Sequence, residues 1–234
     1  MTTSVYKIIE ENQDLVVISK SPGISFHKEG DQIGIPAAIR EELKLEKLFT
    51  VHRLDTVTSG LLIFAKNSRA ASKLAYKFRE GMIEKYYLAI SDCKPLKTQG
   101  LIKGDMVRAR RGAWKLTRNI TNPAVTRFYS CPIGDGLRLF ILRPYTGKTH
   151  QLRVALKSIS AAVLGDPLYH KKGAVADRTY LHSYAIRFKL NGTRYQFIDE
   201  PDTGEYFLSG KFREAVQPYR IPWDLGWVEP RAGR

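Results

Sequence analysis

The run Leu61-Leu62-Ile63-Phe64-Ala65 constrains this chain more than any other stretch. It is short, wholly apolar and bounded by Gly60 and by Asn67-Ser68, which reads as a buried strand. Just before it stand a small-polar turn (Thr56, Thr58, Ser59, Gly60), one carboxylate, Asp55, and a basic pair, His52-Arg53. The turn thus lies at the edge of a rigid element, a usual place for chemistry. From the residues alone, Asp55 is first a capping residue or a local partner of Arg53.

The rest of the chain alternates strand and helix patterns. Residues 5–9 and 15–19 read as two strands joined by a polar turn. Pro36 opens a short helix with Ile35, Ile39 and Leu43 on one face. Residues 68–80 put Ala70, Ala71, Leu74, Ala75 and Phe78 on one face of a helix, with Ser68 expected as its cap and Gly81 as its stop. A β-rich run follows at 85–90. Residues 125–131 and 137–143 read as a hairpin around Pro132-Ile133-Gly134-Asp135-Gly136. Thr149 opens another helix, with Leu152, Ala155, Leu156 and Ile159 on one face. Arg153 falls beside that face, where a charge needs a partner. Two later runs, Tyr195 to Asp199 and Glu205 to Leu208, look strand-like, ahead of a Pro/Trp-rich end.

The net charge of +15 implies a polyanionic partner, nucleic acid before membrane. The basic residues cluster. Residues 103–118 carry Lys103, Arg108, Arg110, Arg111, Lys115 and Arg118 against one acid, with Gly104, Gly112 and Trp114 interleaved. Such a loop or hairpin can track phosphates and stack on a base. No stretch has the apolar length of a membrane helix, and the N-terminal residues lack the pattern of a signal peptide. Cys93 and Cys131 form neither a disulfide framework nor a metal pair, so a cytoplasmic location is expected. There is no HExxH and no Cys/His cluster, so neither metal nor cofactor is expected. Gly147-Lys148-Thr149 ends like a P-loop, but Leu142 stands where that loop needs glycine, which argues against nucleotide hydrolysis. Val57 likewise breaks the DxD pattern of an aspartate-nucleophile phosphatase.

His52-Arg53-Leu54-Asp55-Thr56-Val57-Thr58-Ser59-Gly60-Leu61-Leu62 closely resembles the catalytic motif of the RluA family of RNA pseudouridine synthases. Further matches follow in the family's order. Lys20, Pro22 and Gly23 resemble its first motif, and Lys85-Tyr86-Tyr87-Leu88-Ala89 its Lys-x-Tyr motif. Thr146-Gly147-Lys148-Thr149-His150-Gln151-Leu152-Arg153-Val154 resembles a third motif, while Ala155 departs from the His that many relatives carry there. Residues 162–169 and Leu181-His182-Ser183 resume the match, which is strongest over 12–200 and leaves 201–234 as an extension.

The resemblance implies an α+β fold: a mixed, mostly antiparallel sheet with flanking helices and a central active-site cleft, in one catalytic domain over 1–234 with no S4 domain. It implies an isomerase that turns uridine into pseudouridine in structured rRNA or tRNA, acting as a monomer. Asp55 would be the carboxylate acting at the ribose. Arg153 would pair with it, because a carboxylate closed into a pocket needs a facing cation to stay charged. Tyr87 would offer a face to the flipped uracil and a phenol for moving the C5 proton. Arg53 would fill the space that the base vacates. His52, Lys85, Lys148, His150, Arg110 and Arg111 complete the expected RNA-binding set. The rival expectation is a catalytically idle RNA-binding or chaperone domain on the same scaffold.

Overall fold

The structure is a computed structural model, described here for residues 5–26, 34–170 and 176–230. Its strands are β1 (Tyr6–Glu11), β2 (Leu15–Lys20), β3 (Phe49–Thr50), β4 (Ser59–Ala65), β5 (Glu84–Ser91), β6 (Gln99–Gly104), β7 (Met106–Arg108), β8 (Trp114–Leu116), β9 (Ala124–Gly134), β10 (Leu137–Pro144), β11 (Leu181–Leu190) and β12 (Thr193–Ile198). The helices are α1 (Ile35–Glu42), α2 (Ser68–Arg79), α3 (Gln151–Ser158), α4 (Glu205–Leu208) and α5 (Gly210–Val216). This is the expected α+β class. The chain resolves into two compact units, one of residues 1–85 and 181–201, the other of 86–180 and 202–234.

The first unit is built on β4, every residue of which is buried. β2 pairs with it antiparallel, Leu15 opposite Ala65 through Lys20 opposite Gly60. β11 joins in parallel at Ser59 and Gly60, and β12 extends the sheet from β11. Alternation sends Leu61, Ile63 and Ala65 into one cluster with Leu15, Val17, Ile186 and Phe188. α2 closes that cluster with Ala70 and Leu74. On the other face Phe64 stacks on Phe26. β11 and β12 meet at Asn191-Gly192, both at positive φ (51° and 86°), a tight turn matched to strand twist.

The cap of α2 is Asn67, not the expected Ser68. Its side-chain oxygen accepts from the Ala70 N–H at 2.8 Å. Its amide donates to Asp14 at 3.0 Å, tying the helix start to the β1–β2 turn. Gly81, at φ 67°, ends the helix as expected.

The second unit carries the order β5-β10-β9-β6. The β9–β10 hairpin closes at Asp135-Gly136 (φ 53° and 75°), tighter than the five-residue turn expected. The basic stretch 103–118 is indeed a hairpin, β7 on β8, turning through Arg110 to Gly112. Residues 205–208 are helical rather than extended. The Glu205 N–H donates to Asp177 and the Tyr206 N–H to the Tyr180 hydroxyl, so tertiary partners hold the first turn. A four-residue apolar run has no period of its own to decide between strand and helix.

Candidate active site

Asp55 lies half-buried in an irregular loop just before β4. Its carbonyl accepts from the Thr58 N–H at 3.0 Å, closing a turn. The next residue, Thr56, is held twice through its carbonyl: by the Gly23 N–H at 2.9 Å and by the Lys20 ammonium at 3.1 Å. Lys20 is only 1% exposed and also donates to the carbonyls of Ser21 (2.8 Å) and Ile24 (3.0 Å). A buried ammonium is costly unless its donors are met, and carbonyl dipoles meet them here. The Lys-x-Pro-Gly turn, a weak signal in the sequence, thus positions the Asp55 loop.

Beneath this loop, Gly60 adopts φ 102°, and a Cβ there would lie 2.4 Å from the Ser183 carbonyl oxygen. Only glycine lets β4 and β11 approach so closely. The Ser59 hydroxyl meets His182 Nδ1 at 2.8 Å, and His182 Nε2 meets the Asp199 carbonyl at 2.7 Å. Ser19 donates to Asp199 Oδ2 at 2.5 Å. Ser59 and His182 are buried, so this Ser–His–Asp chain ties strands together rather than presenting a nucleophile.

The structure gives His52 internal partners. Its Nε2 accepts from the Ile63 N–H at 2.9 Å, and its ring stacks on Phe78 at 4.3 Å. Burial, and then the Lys85 charge, push its pKa down from 6.5 to about 3, which keeps Nε2 an acceptor. Lys85 lies 5.8 Å from the Phe78 centroid, and burial pushes its pKa down to about 8. Arg53 is exposed.

In the second unit, Tyr87 is buried on β5 opposite Leu142 of β10. Arg153, on α3, is 3% exposed. Its Nε and Nη2 donate to the two oxygens of Asp166, at 2.7 and 2.9 Å. The sequence reading did not anticipate Asp166. Asp166 Oδ1 also accepts from the N–H groups of Leu168 (2.9 Å) and Tyr169 (3.1 Å). Gly165 makes this turn possible, since a Cβ there would lie 2.1 Å from the Arg178 carbonyl oxygen. The Arg153 guanidinium lies 5.1 Å from the centre of the Tyr169 ring. The Tyr169 hydroxyl accepts from the Trp114 N–H and meets His150 Nδ1, both at 2.9 Å. One tyrosine therefore links Arg153, the start of α3 and the basic hairpin.

His150 is the left-handed residue (φ 57°) that caps α3, one residue later than expected. Gln151, buried beside it, uses its whole amide. Oε1 accepts from Thr146 (2.7 Å) and the Lys148 N–H (3.0 Å), while Nε2 donates to the Val125 carbonyl (3.1 Å) and Thr126 (3.0 Å). The loop carrying Lys148 is thereby fastened to β9. Lys148 itself donates to Asn122 at 2.7 Å. Arg110 and Arg111 are exposed at the hairpin turn.

Each unit thus presents part of the expected set: Asp55, Arg53, His52 and Lys85 in the first, Tyr87, Arg153, His150, Lys148, Arg110 and Arg111 in the second. Among the described residues, no three His, Cys, Asp or Glu side chains gather as a metal site, and no helix is long and apolar enough to cross a membrane.

Residues 14–158 match the family model described as RNA pseudouridylate synthase. The chain is 45% identical over 213 residues to an uncharacterized RNA pseudouridine synthase of Haemophilus influenzae, covering 91% of this chain and 95% of that one. It is 31% identical to the ribosomal large subunit pseudouridine synthase C of Rickettsia bellii, over 79% of this chain and 63% of that protein. The fold is similar to that of human RNA pseudouridylate synthase domain containing 1, with a TM-score of 0.72, 23% identity and 86% of each chain covered.

Proposed function

Since this chain belongs to the RNA pseudouridylate synthase family, whose members are isomerases acting on RNA, we propose that it converts a specific uridine of structured rRNA or tRNA to pseudouridine through Asp55. The N1–C1′ bond breaks, the uracil turns, and C5 joins C1′; C5 gives up a proton and N1 gains one, so atoms balance. The target base leaves its stack first.

In this proposal the Asp55 carboxylate acts at the ribose, as nucleophile at C1′ or as base toward the 2′-proton. Arg153 supplies the cation that keeps a carboxylate charged in a closed pocket, and Asp166 holds its guanidinium plane in one orientation. Tyr87 offers a ring to the uracil and a hydroxyl to the departing C5 proton. Arg53, exposed two residues before Asp55, fills the stack. Lys85, Lys148, Arg110 and Arg111 contact the RNA together with His52 and His150, whose internal hydrogen bonds also hold their loops. The protein works in the cytoplasm, as a monomer and without a cofactor.

The observation carrying the proposal is the anchoring of the Asp55 turn. A buried lysine holds the carbonyl next to the carboxylate, inside the motif that the family shares. The Rickettsia relative's name makes large-subunit rRNA the first RNA to inspect. The test is transcriptome-wide pseudouridine mapping by carbodiimide labelling. It compares cells with the gene, without it, and with Asp55→Asn alone. A site lost in both altered strains supports the proposal and names the substrate. A site kept with Asp55→Asn removes the carboxylate from its role, and no lost site favours an idle RNA-binding protein.

A further inference from the structure

The basic hairpin and the Lys148 loop border a half-open cavity of about 460 Å³. Asp105, Val107, Trp114, Asn122, Lys148 and Thr149 line it. The volume falls within the range of small-ligand sites, roughly 300–1,000 Å³. Asp55, Tyr87 and Arg153 are not among its lining residues.

Its walls are held in place before any ligand arrives. Both Asp105 oxygens accept backbone N–H groups, from Thr121 at 3.2 Å and Asn122 at 2.9 Å. Lys148 bonds the Asn122 side chain, and Gln151 fastens the Lys148 backbone. The Trp114 N–H is fixed to Tyr169. The lining combines one indole with a carboxylate, an amide, an ammonium and a hydroxyl. That chemistry suits a flat aromatic heterocycle whose edge carries both donors and acceptors. The Arg108 guanidinium lies 5.7 Å from the Trp114 ring centre, and Arg110, Arg111 and Lys115 are exposed on the same hairpin, where phosphates would follow the base.

We propose that this cavity holds a second, unpaired nucleobase of the RNA, distinct from the reacting uridine, and so sets the register in which the RNA is presented. The inference rests on the RNA-modifying role proposed above.

The test uses the full chain and a fluorescein-labelled single-stranded RNA octamer of random sequence, beside an octamer with abasic sugars at every position. Binding is followed by anisotropy for wild type, Trp114→Ala, Trp114→Phe and Asn67→Ala. The cavity predicts that Trp114→Ala weakens binding roughly 5- to 150-fold, the range for loss of one base–aromatic stack. Trp114→Phe keeps most of the affinity, and Asn67→Ala, which removes only a helix cap, binds as wild type. The abasic octamer, which needs no variant to fold, should bind wild type more weakly by at least the Trp114→Ala factor. Equal affinity for the abasic and intact octamers, or unchanged binding by Trp114→Ala, overturns the inference. Pseudouridine formation on cellular RNA, measured in parallel, separates the two proposals. Base-dependent binding without any product supports the cavity and sinks the proposed reaction. Product with base-independent binding does the reverse.

Discussion

Among the described residues, two kinds of buried charge stand out: charge that is fully partnered, and charge that titrates away from its ordinary range. Arg153 and Asp166 belong to the first kind. Removing one partner of such a pair costs on the order of 3–5 kcal/mol, because the other is left buried and unpaired. Asp166→Asn should therefore lower the urea midpoint by that equivalent, and lower isomerase activity too if the pair orients Arg153. His52 and Lys85 belong to the second kind. Between pH 6.5 and about 3, the unfolded chain binds a proton at His52 that the folded chain refuses. Its contribution is complete above pH 6.5 and is lost as the pH falls toward 3. His52→Gln should remove that part of the acid slope, seen by urea titration at pH 7, 5 and 4. Lys85 has the opposite consequence at neutral pH, because below about 8 its charge is held in a partly buried place. Lys85→Met should raise stability at pH 7 by about 1–2 kcal/mol, and the gain should shrink as the pH climbs from 8 toward 10.5.

Among the elements, β4 follows directly on the Asp55 loop, so its failure reaches that loop. Gly60→Ala sets a Cβ against the Ser183 backbone in a conformation that L side chains avoid. It should cost at least about 2 kcal/mol and disturb the β4–β11 pairing. Hydrogen exchange at β11 amides would report that, and protection equal to wild type would contradict the argument. α2 offers a milder comparison. Asn67→Ala removes the cap and should cost about 1 kcal/mol without changing RNA affinity.

For the whole molecule, a net charge of +15 makes RNA affinity a function of salt. The logarithm of affinity should fall linearly with the logarithm of salt, with a slope of roughly 0.7 per neutralised phosphate on single strands. Replacing Arg110 and Arg111 together by Ala should flatten that slope, while Trp114→Ala should leave it nearly unchanged. An equal slope in the double variant would remove those arginines from the RNA contacts.

Local pattern and spacing were enough to place the buried strand at 61–65, the helices at 68–80 and near 149–159, the β9–β10 hairpin, and the loop holding Asp55. Each rests on periodicity, turn residues or a contiguous motif, all local in the chain. The Asn191-Gly192 turn is equally legible, as an Asn-Gly pair between two apolar-rich runs. What the sequence could not supply were the long-range partners: Lys20 under Thr56, Asp166 on Arg153, Tyr169 between α3 and the hairpin, and His52 turned inward onto Ile63. A side chain's type says what it can bond, but which carbonyl, carboxylate or amide it meets depends on how distant segments pack. The first is chemistry carried by one residue; the second exists only once the chain has closed around it.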